Sequence, residues 1–415
     1  MKDNPLLMLE AFGQSIWMDF IRRGTISSGE LKRLIEEDGL SGMTSNPSIF
    51  EKAIAGSHDY DDAIRKLALQ GESVDQIYAA LTVEDIQRSA DLFRPIYDRL
   101  DGSDGFVSLE VSPYLARDTD KTIADARRLW VSLARPNVMI KVPATLEGLP
   151  AIQQLISDGI NINITLLFGL SRYPQVAEAY IAGLESLAAK SKPLKSVASV
   201  ASFFLSRIDV LLDPMLEKTM AINKSKADLA ATFHGEVAIL SAKAAYQIYQ
   251  EIFDSERFGK LRAQGARTQR LLWASTSTKN PAYSDLKYVE ALIGPETVDT
   301  VPLETLAAYR DHGKPAPRLT NDAVKASETL RRLGEVGIDL DAVTQQLEDE
   351  GIQKFVEAFD RLMNTLEEKR AAAVRQPGEQ ETLDRNPGNV AGATVSGKHR
   401  PGGQGSFTRE RRTVG

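Results

Sequence analysis

The chain has 415 residues, 42% of them hydrophobic and 26% charged, with a formal net charge of −7. That size and balance fit a soluble globular protein with a substantial core, and the lack of any basic concentration in the part read as folded argues against nucleic acid as the main partner. The absence of cysteine excludes disulfides, thiolate nucleophiles and Cys-ligated metals, while four scattered histidines, His58, His234, His312 and His399, argue against a His-rich metal site or a Ser-His-Asp triad.

Short β-rich runs alternate with helical patterns along the chain. Strands are predicted at Ser15–Asp19, Leu40–Thr44, Phe106–Val111, Val138–Val142, Asn161–Leu166, Ser196–Ala201, Arg270–Ala274 and Thr297–Val301. Most are dominated by Val, Ile, Leu, Met or Phe, as expected of strands covered on both faces. Between them, Ser27-Ser28-Gly29-Glu30 reads as a capping box before a helix at Leu31–Glu37. Helical spacing recurs at Asp120–Ala134, Leu149–Ser157, Arg172–Ala189 and Leu303–Tyr309, and longer helical insertions are predicted within Pro47–Leu100 and Leu205–Phe258. Eight strands with intervening helices point to an α/β fold of the (β/α)8 TIM-barrel type. A doubly wound open sheet is the alternative, but no Gly-rich nucleotide-binding fingerprint supports it.

Helices continue over Pro315–Ala373, so a barrel domain with helical insertions is expected over residues 1–375. Gln376–Gly415 differs: 8 Gly, 3 Pro and a single aromatic, Phe407, provide too little apolar area to offset ordering entropy, so a disordered tail is expected. Its Arg409-Glu410-Arg411-Arg412 cluster could bind an acidic surface, but reads better as a solvated terminus. No apolar run approaches the length of a membrane span, and Met1-Lys2-Asp3-Asn4-Pro5 lacks a signal-peptide pattern. A cytoplasmic location with no membrane partner is expected. The sequence carries no signal for oligomeric state.

Lys141 stands out within this frame. It lies in the apolar run Val138-Met139-Ile140-Lys141-Val142, followed at once by Pro143-Ala144-Thr145. Desolvation in such a strand favours the neutral amine, the form that Schiff-base chemistry requires. The competing interpretation is a strand-end lysine whose ammonium snorkels to water. In TIM barrels, reactive residues come from the C-terminal ends of several strands. Those ends here supply Asp19, Thr44 with Asn46 just beyond, Glu110, Lys141, Asn163 with Thr165, and Ser199 with Ser202. Each could merely cap a helix or satisfy a loop. Their recurrence at six adjacent strand ends favours one shared site.

Four segments in order resemble the transaldolase family. Gly42-Met43-Thr44-Ser45-Asn46-Pro47-Ser48-Ile49-Phe50 is similar to its first signature, and Val138–Leu149 (VMIKVPATLEGL) to its second, which contains the Schiff-base lysine. Asn161–Phe168 (NINITLLF) and Ser202–Arg207 (SFFLSR) resemble two further family segments, and the similarity spans roughly Ser15 to Arg310. The resemblance implies that Lys141 attacks the C2 carbonyl of a ketose phosphate. It implies that Glu110 exchanges protons through a water held with help from Thr165, and that Asp19 takes the C4 hydroxyl proton as the C3–C4 bond breaks. Asn46, Asn163 and Ser202 would hold hydroxyls of the retained dihydroxyacetone fragment, and Arg207 would bind phosphate. The resulting activity would transfer dihydroxyacetone from sedoheptulose 7-phosphate to glyceraldehyde 3-phosphate in the non-oxidative pentose phosphate pathway, with no cofactor and no metal.

Two positions depart from the family pattern. Met43 is bulkier than expected in the first signature and reads as strand packing. Lys279, in Ser275-Thr276-Ser277-Thr278-Lys279-Asn280-Pro281, stands at or near the place of a second phosphate-binding arginine; it is either a phosphate ligand or a solvated loop lysine. Two other functions compete: an aldolase that releases free dihydroxyacetone, and a non-catalytic sugar-phosphate sensor. The resemblance disfavours the first through Glu110, because the aldolase relatives tend to carry glutamine there. Asp19, Glu110 and Lys141 together exceed what the second requires.

Overall fold

The computed structural model describes residues 4–375. The segment Gln376–Gly415, and with it the expected disordered tail, lies outside the described residues. Eight strands, β1 (Gln14–Asp19), β2 (Gly42–Thr44), β3 (Val107–Glu110), β4 (Val138–Pro143), β5 (Ile162–Leu167), β6 (Ser199–Phe204), β7 (Arg270–Ala274) and β8 (Thr297–Val301), close into a barrel in sequence order. Every neighbouring pair is parallel, including β1 with β8. The expected TIM barrel is therefore the observed fold, and the open sheet is excluded by the β1–β8 pairing.

The strands are short and almost wholly buried because helices cover their outer faces while side chains fill the interior. Helices Thr119–Leu133, Gly148–Asp158, Arg172–Ala189 and Leu303–His312 follow β3, β4, β5 and β8 close to their expected positions. The insertion after β2 forms three helices, Pro47–Ala55, Asp61–Leu69 and Val74–Arg99. The insertion after β6 forms Ser206–Ile222, Lys224–Phe233, Val237–Phe253 and Glu256–Arg262. A 36-residue helix, Leu340–Arg375, ends the described chain and is called the C-terminal helix below.

Inside the barrel, side chains alternate strictly enough to form layers. Trp17 fills the interior below the mouth, and only glycine fits opposite it: a Cβ on Gly42 would lie 2.5 Å from the indole. Met43, one position on, is 1% exposed, a core packing residue as expected.

Two local expectations fail. The sixth strand runs from Ser199 to Phe204, three residues later than its start at Ser196 would imply. The chain turns through a Val197 N–Leu194 O bond, and the Asn161 side chain accepts from Ala198 N at 2.9 Å, so the ladder first engages where Ser199 meets Ile162. The capping box also does not form. Ser27 ends a separate helix, Arg23–Ser27, and donates back to Arg23 O, while Gly29, at φ 84°, starts the next helix, Glu30–Asp38, from a left-handed conformation. Glycine tolerates that joint without strain, and it removes the side chain a cap would need.

Candidate active site

Strand register, not sequence proximity, assembles the site. Asp19 pairs with Thr44 across β1 and β2, Glu110 with Lys141 across β3 and β4, and Lys141 with Asn163 across β4 and β5. Because side chains alternate, residues sharing a register level also share the barrel interior. One layer of polar groups thus lies just beneath the mouth.

Lys141 is 4% exposed. Its Nζ donates to the Ser45 carbonyl at 3.0 Å and stands 3.4 Å from Glu110 Oε2. The snorkelling alternative is therefore ruled out: the ammonium end stays inside. Glu110 is equally buried, and neither of its carboxyl oxygens has a protein hydrogen-bond partner. Burial pushes its pKa up to about 7, against the pull of Lys141. Thr165 on β5 is fully buried, and its Oγ1 likewise has no protein partner.

Asp19 is held differently. Its Oδ1 accepts from Thr44 Oγ1 at 2.8 Å, and Thr44 in turn contacts Thr300 Oγ1 at 2.8 Å. Burial raises the Asp19 pKa, with Lys141 and the Thr44 bond opposing. Asn163 is bonded at both ends: its amide donates to Ser108 Oγ at 3.0 Å and its carbonyl accepts from Ser202 Oγ at 2.7 Å. Asn46 caps the helix Pro47–Ala55, accepting from Ile49 N at 3.0 Å, which leaves its Nδ2 for another partner. Here the capping role and a binding role coexist in one side chain.

A cavity of about 300 Å³ opens at this end of the barrel. Of the nine expected site residues, Asp19, Asn46, Lys141, Ser202, Arg207 and Lys279 line it. Glu110, Asn163 and Thr165 do not; they stand beside or beneath those that do. Arg207, at the start of the helix after β6, lies over the Phe204 ring at 5.3 Å, and its Nη1 has no hydrogen-bond partner. Lys279 is exposed at the rim, with its Nζ donating to Ser277 Oγ at 2.5 Å. Ser199, read as a strand end, is instead the first residue of β6, far from the mouth; its hydroxyl serves Ile162 O and Gln269. Sequence reasoning missed Lys52, Glu304 and Phe355, which also line the cavity. Lys52 follows Asn46 by six positions on the adjoining helix and was within reach of motif reading. Phe355 comes from the C-terminal helix, and nothing local marks it.

A buried lysine, two buried carboxyl groups and a cationic rim are parts that an imine-forming site on a sugar phosphate would use. The sequence profile of the transaldolase/fructose-6-phosphate aldolase family matches residues 16–366. The chain belongs to this family. Transaldolase from Trichodesmium erythraeum is 48% identical over 374 residues, covering 89% of this chain and 98% of that protein. Transaldolases from Saccharopolyspora erythraea (44% identical; 88% and 98% covered) and Mycolicibacterium smegmatis (43%; 90% and 100%) are similarly close. Transaldolase function, transfer of an aldehyde or ketone residue, follows from the family match taken together with these relatives. The family match extends past Arg310, where the motif resemblance stopped, and takes in most of the C-terminal helix. No helix among the described residues is long and apolar enough to cross a membrane.

Proposed function

We propose that the enzyme transfers dihydroxyacetone from sedoheptulose 7-phosphate to glyceraldehyde 3-phosphate, giving erythrose 4-phosphate and fructose 6-phosphate, through a Schiff base on Lys141. Its place would be the non-oxidative pentose phosphate pathway in the cytoplasm. The observation that carries this reading is the buried Glu110–Lys141 pair, 3.4 Å apart, with the carboxyl titrating near neutrality.

Lys141 Nζ adds to the C2 carbonyl. Glu110, poised at about pH 7, delivers and removes protons through a water as the carbinolamine forms and dehydrates. The unpartnered oxygens of Glu110 and Thr165 supply the acceptors and the donor such a water needs. In the iminium, electrons from the C3–C4 bond flow toward nitrogen, so cleavage needs no free carbanion. Asp19, oriented by Thr44, takes the C4 hydroxyl proton, and the aldose leaves. Asn163, with Ser202 and one remaining amide hydrogen, holds the three-carbon fragment together with Asn46 Nδ2. Arg207 and Lys279 receive the phosphate. Acceptor addition reverses the sequence.

Fructose 6-phosphate with erythrose 4-phosphate should give sedoheptulose 7-phosphate and glyceraldehyde 3-phosphate much faster than fructose 6-phosphate alone gives dihydroxyacetone. Equal rates would replace transfer by aldol release. Binding without either reaction would make the protein a sensor.

A further inference from the structure

The transfer reading leaves one demand unmet by the residues so far assigned: the enamine on Lys141 must outlast the exchange of one aldose for another without meeting water productively. We propose that Phe355, carried to the barrel mouth by the C-terminal helix, shields this intermediate and so sets the balance between transfer and release. The proposal rests on the function proposed above.

Three observations converge on it. Phe355 is 3% exposed yet lines the same cavity as Asp19, Lys141 and Arg207. Gly351 lies one helical turn earlier on the same face, and the helix is pressed against the site there. A Cβ on Gly351 would stand 2.8 Å from Leu166 Cδ2 and 3.5 Å from Arg207 Nη1. Leu166 itself has φ 56°, a left-handed conformation uncommon for leucine, and the β5–β6 register slips between Ile164 and Leu167. The irregularity therefore directs Leu166 at the helix, one residue past Thr165. Finally, the helix is fastened along its length to loops of the barrel and to the inserted helix Val74–Arg99. Arg117 after β3 meets Asp349 at 2.6 Å, Ser171 after β5 donates to Asp341 at 2.8 Å, and Phe359 packs edge-on to Tyr78 and Tyr114.

The chemistry gives this placement its consequence. Release requires a proton on C3, which turns the enamine into the iminium, and one water at C2. That water's oxygen becomes the ketone oxygen as the C2–N bond breaks. Overall, enamine plus water yields dihydroxyacetone and the neutral Lys141 amine. Transfer forms a C3–C4 bond to the acceptor aldehyde first. Transfer ends in the same hydrolysis at C2, so the two branches part at C3: a phenyl ring offers no hydrogen bond to a water that would deliver the proton there, and slows that protonation while leaving room for an aldehyde drawn in by its phosphate.

The test uses the full chain. Release from fructose 6-phosphate alone and transfer to erythrose 4-phosphate are measured for the wild type, Phe355→Ala and Phe355→Leu, with thermal midpoints recorded in parallel. The release-to-transfer ratio should rise about tenfold in Phe355→Ala and less in Phe355→Leu, which retains an apolar side chain and decides the matter if the alanine variant does not fold. A general loosening of the structure would lower both rates together. An unchanged ratio in the folded variants, whatever happens to the absolute rates, overturns the proposal. A wild type that already releases as fast as it transfers overturns the proposed function instead.

Discussion

The two ends of the barrel treat buried polar side chains in opposite ways. At the N-terminal end, Asp104 accepts from Ser15, from Trp17 Nε1 at 2.8 Å and from its neighbour Gly105 N, while Arg270 donates to Ser15 at 2.7 Å and to the Ser103 carbonyl at 3.0 Å. Where an atom there lacks a partner, as with Gln14 Oε1 or Asn137 Oδ1, the other end of the same amide is bonded. At the C-terminal end, both oxygens of Glu110, the Thr165 hydroxyl and an Arg207 nitrogen have none. Unpaired buried polar atoms are costly, so the N-terminal end is arranged for stability, and the atoms left unpaired at the mouth are those the proposed mechanism gives to substrate and water. Cavity size does not reveal this difference. A cavity of about 580 Å³ lies at the N-terminal end, lined by Arg267, Arg270 and Tyr249, against about 300 Å³ at the mouth.

Substitutions should separate the two ends, beginning with the largest effect. Lys141→Met should lower transfer by roughly 10⁴-fold or more, since the other lysines of the cavity, Lys52 and Lys279, are exposed side chains outside the buried layer of Glu110 and Asn163. Borohydride reduction with fructose 6-phosphate should add a dihydroxyacetone-derived mass to the Lys141 peptide of the wild type and to none in the variant; labelling of another lysine would refute the assignment. Glu110→Gln and Asp19→Asn should each cost about 10²- to 10⁴-fold, at different steps. Rapid-quench trapping should find slow adduct formation in the first, and normal adduct formation with slow cleavage in the second. Identical kinetic signatures would mean that the two carboxylates do not divide the proton transfers as proposed.

The opposite pattern is expected at the other end. Asp104→Ala should lower stability by about 3 kcal/mol, because it leaves the Trp17 indole N–H without an acceptor and removes the carboxylate 3.7 Å from Arg270, while the folded fraction retains its activity. Urea titration with specific activity measured per folded molecule checks both halves, and a selective loss of activity would break the comparison between the ends.

The last expectation is a pH dependence. Asp299 on β8 is fully buried, neither oxygen has a hydrogen-bond partner, and burial pushes its pKa up to about 8 despite Thr276. Its folded pKa exceeds the unfolded value, so the folded state binds the proton more tightly. The associated stability is complete below pH 4 and is lost as pH rises through 8. Asp299→Asn should flatten the fall in stability between these limits and be the more stable protein at pH 8. Melting curves from pH 5 to pH 8.5 measure the slope; parallel curves would show that Asp299 does not titrate in this window.

The sequence by itself determined the eight strands, their alternation with helices and the presence of a lysine inside one of the apolar runs. These are local matters: apolar runs buried on both faces must form a parallel sheet with helical crossovers, and one lysine inside such a run is conspicuous. Of the residues read as strand ends, Asp19 and Glu110 do end β1 and β3, whereas Asn163 and Thr165 lie within β5. Register lay beyond local reading. Whether Glu110 faces Lys141, and Asn163 lies on its other side, depends on closure of the barrel; a slip of one residue would turn either side chain away from the interior. The misplaced start of β6, which put Ser199 at the wrong end, shows how little a local apolar pattern says about where a ladder engages. Exposure and charge were also tertiary outcomes. Asn46 proved to be a helix cap as well as a cavity residue, and Glu110 titrates near neutrality because the closed barrel strips its water away. Phe355 reaches the mouth only because a helix more than 200 residues downstream of Lys141 in sequence folds back onto the barrel loops, a contact of such long range that no spacing in the chain encodes it.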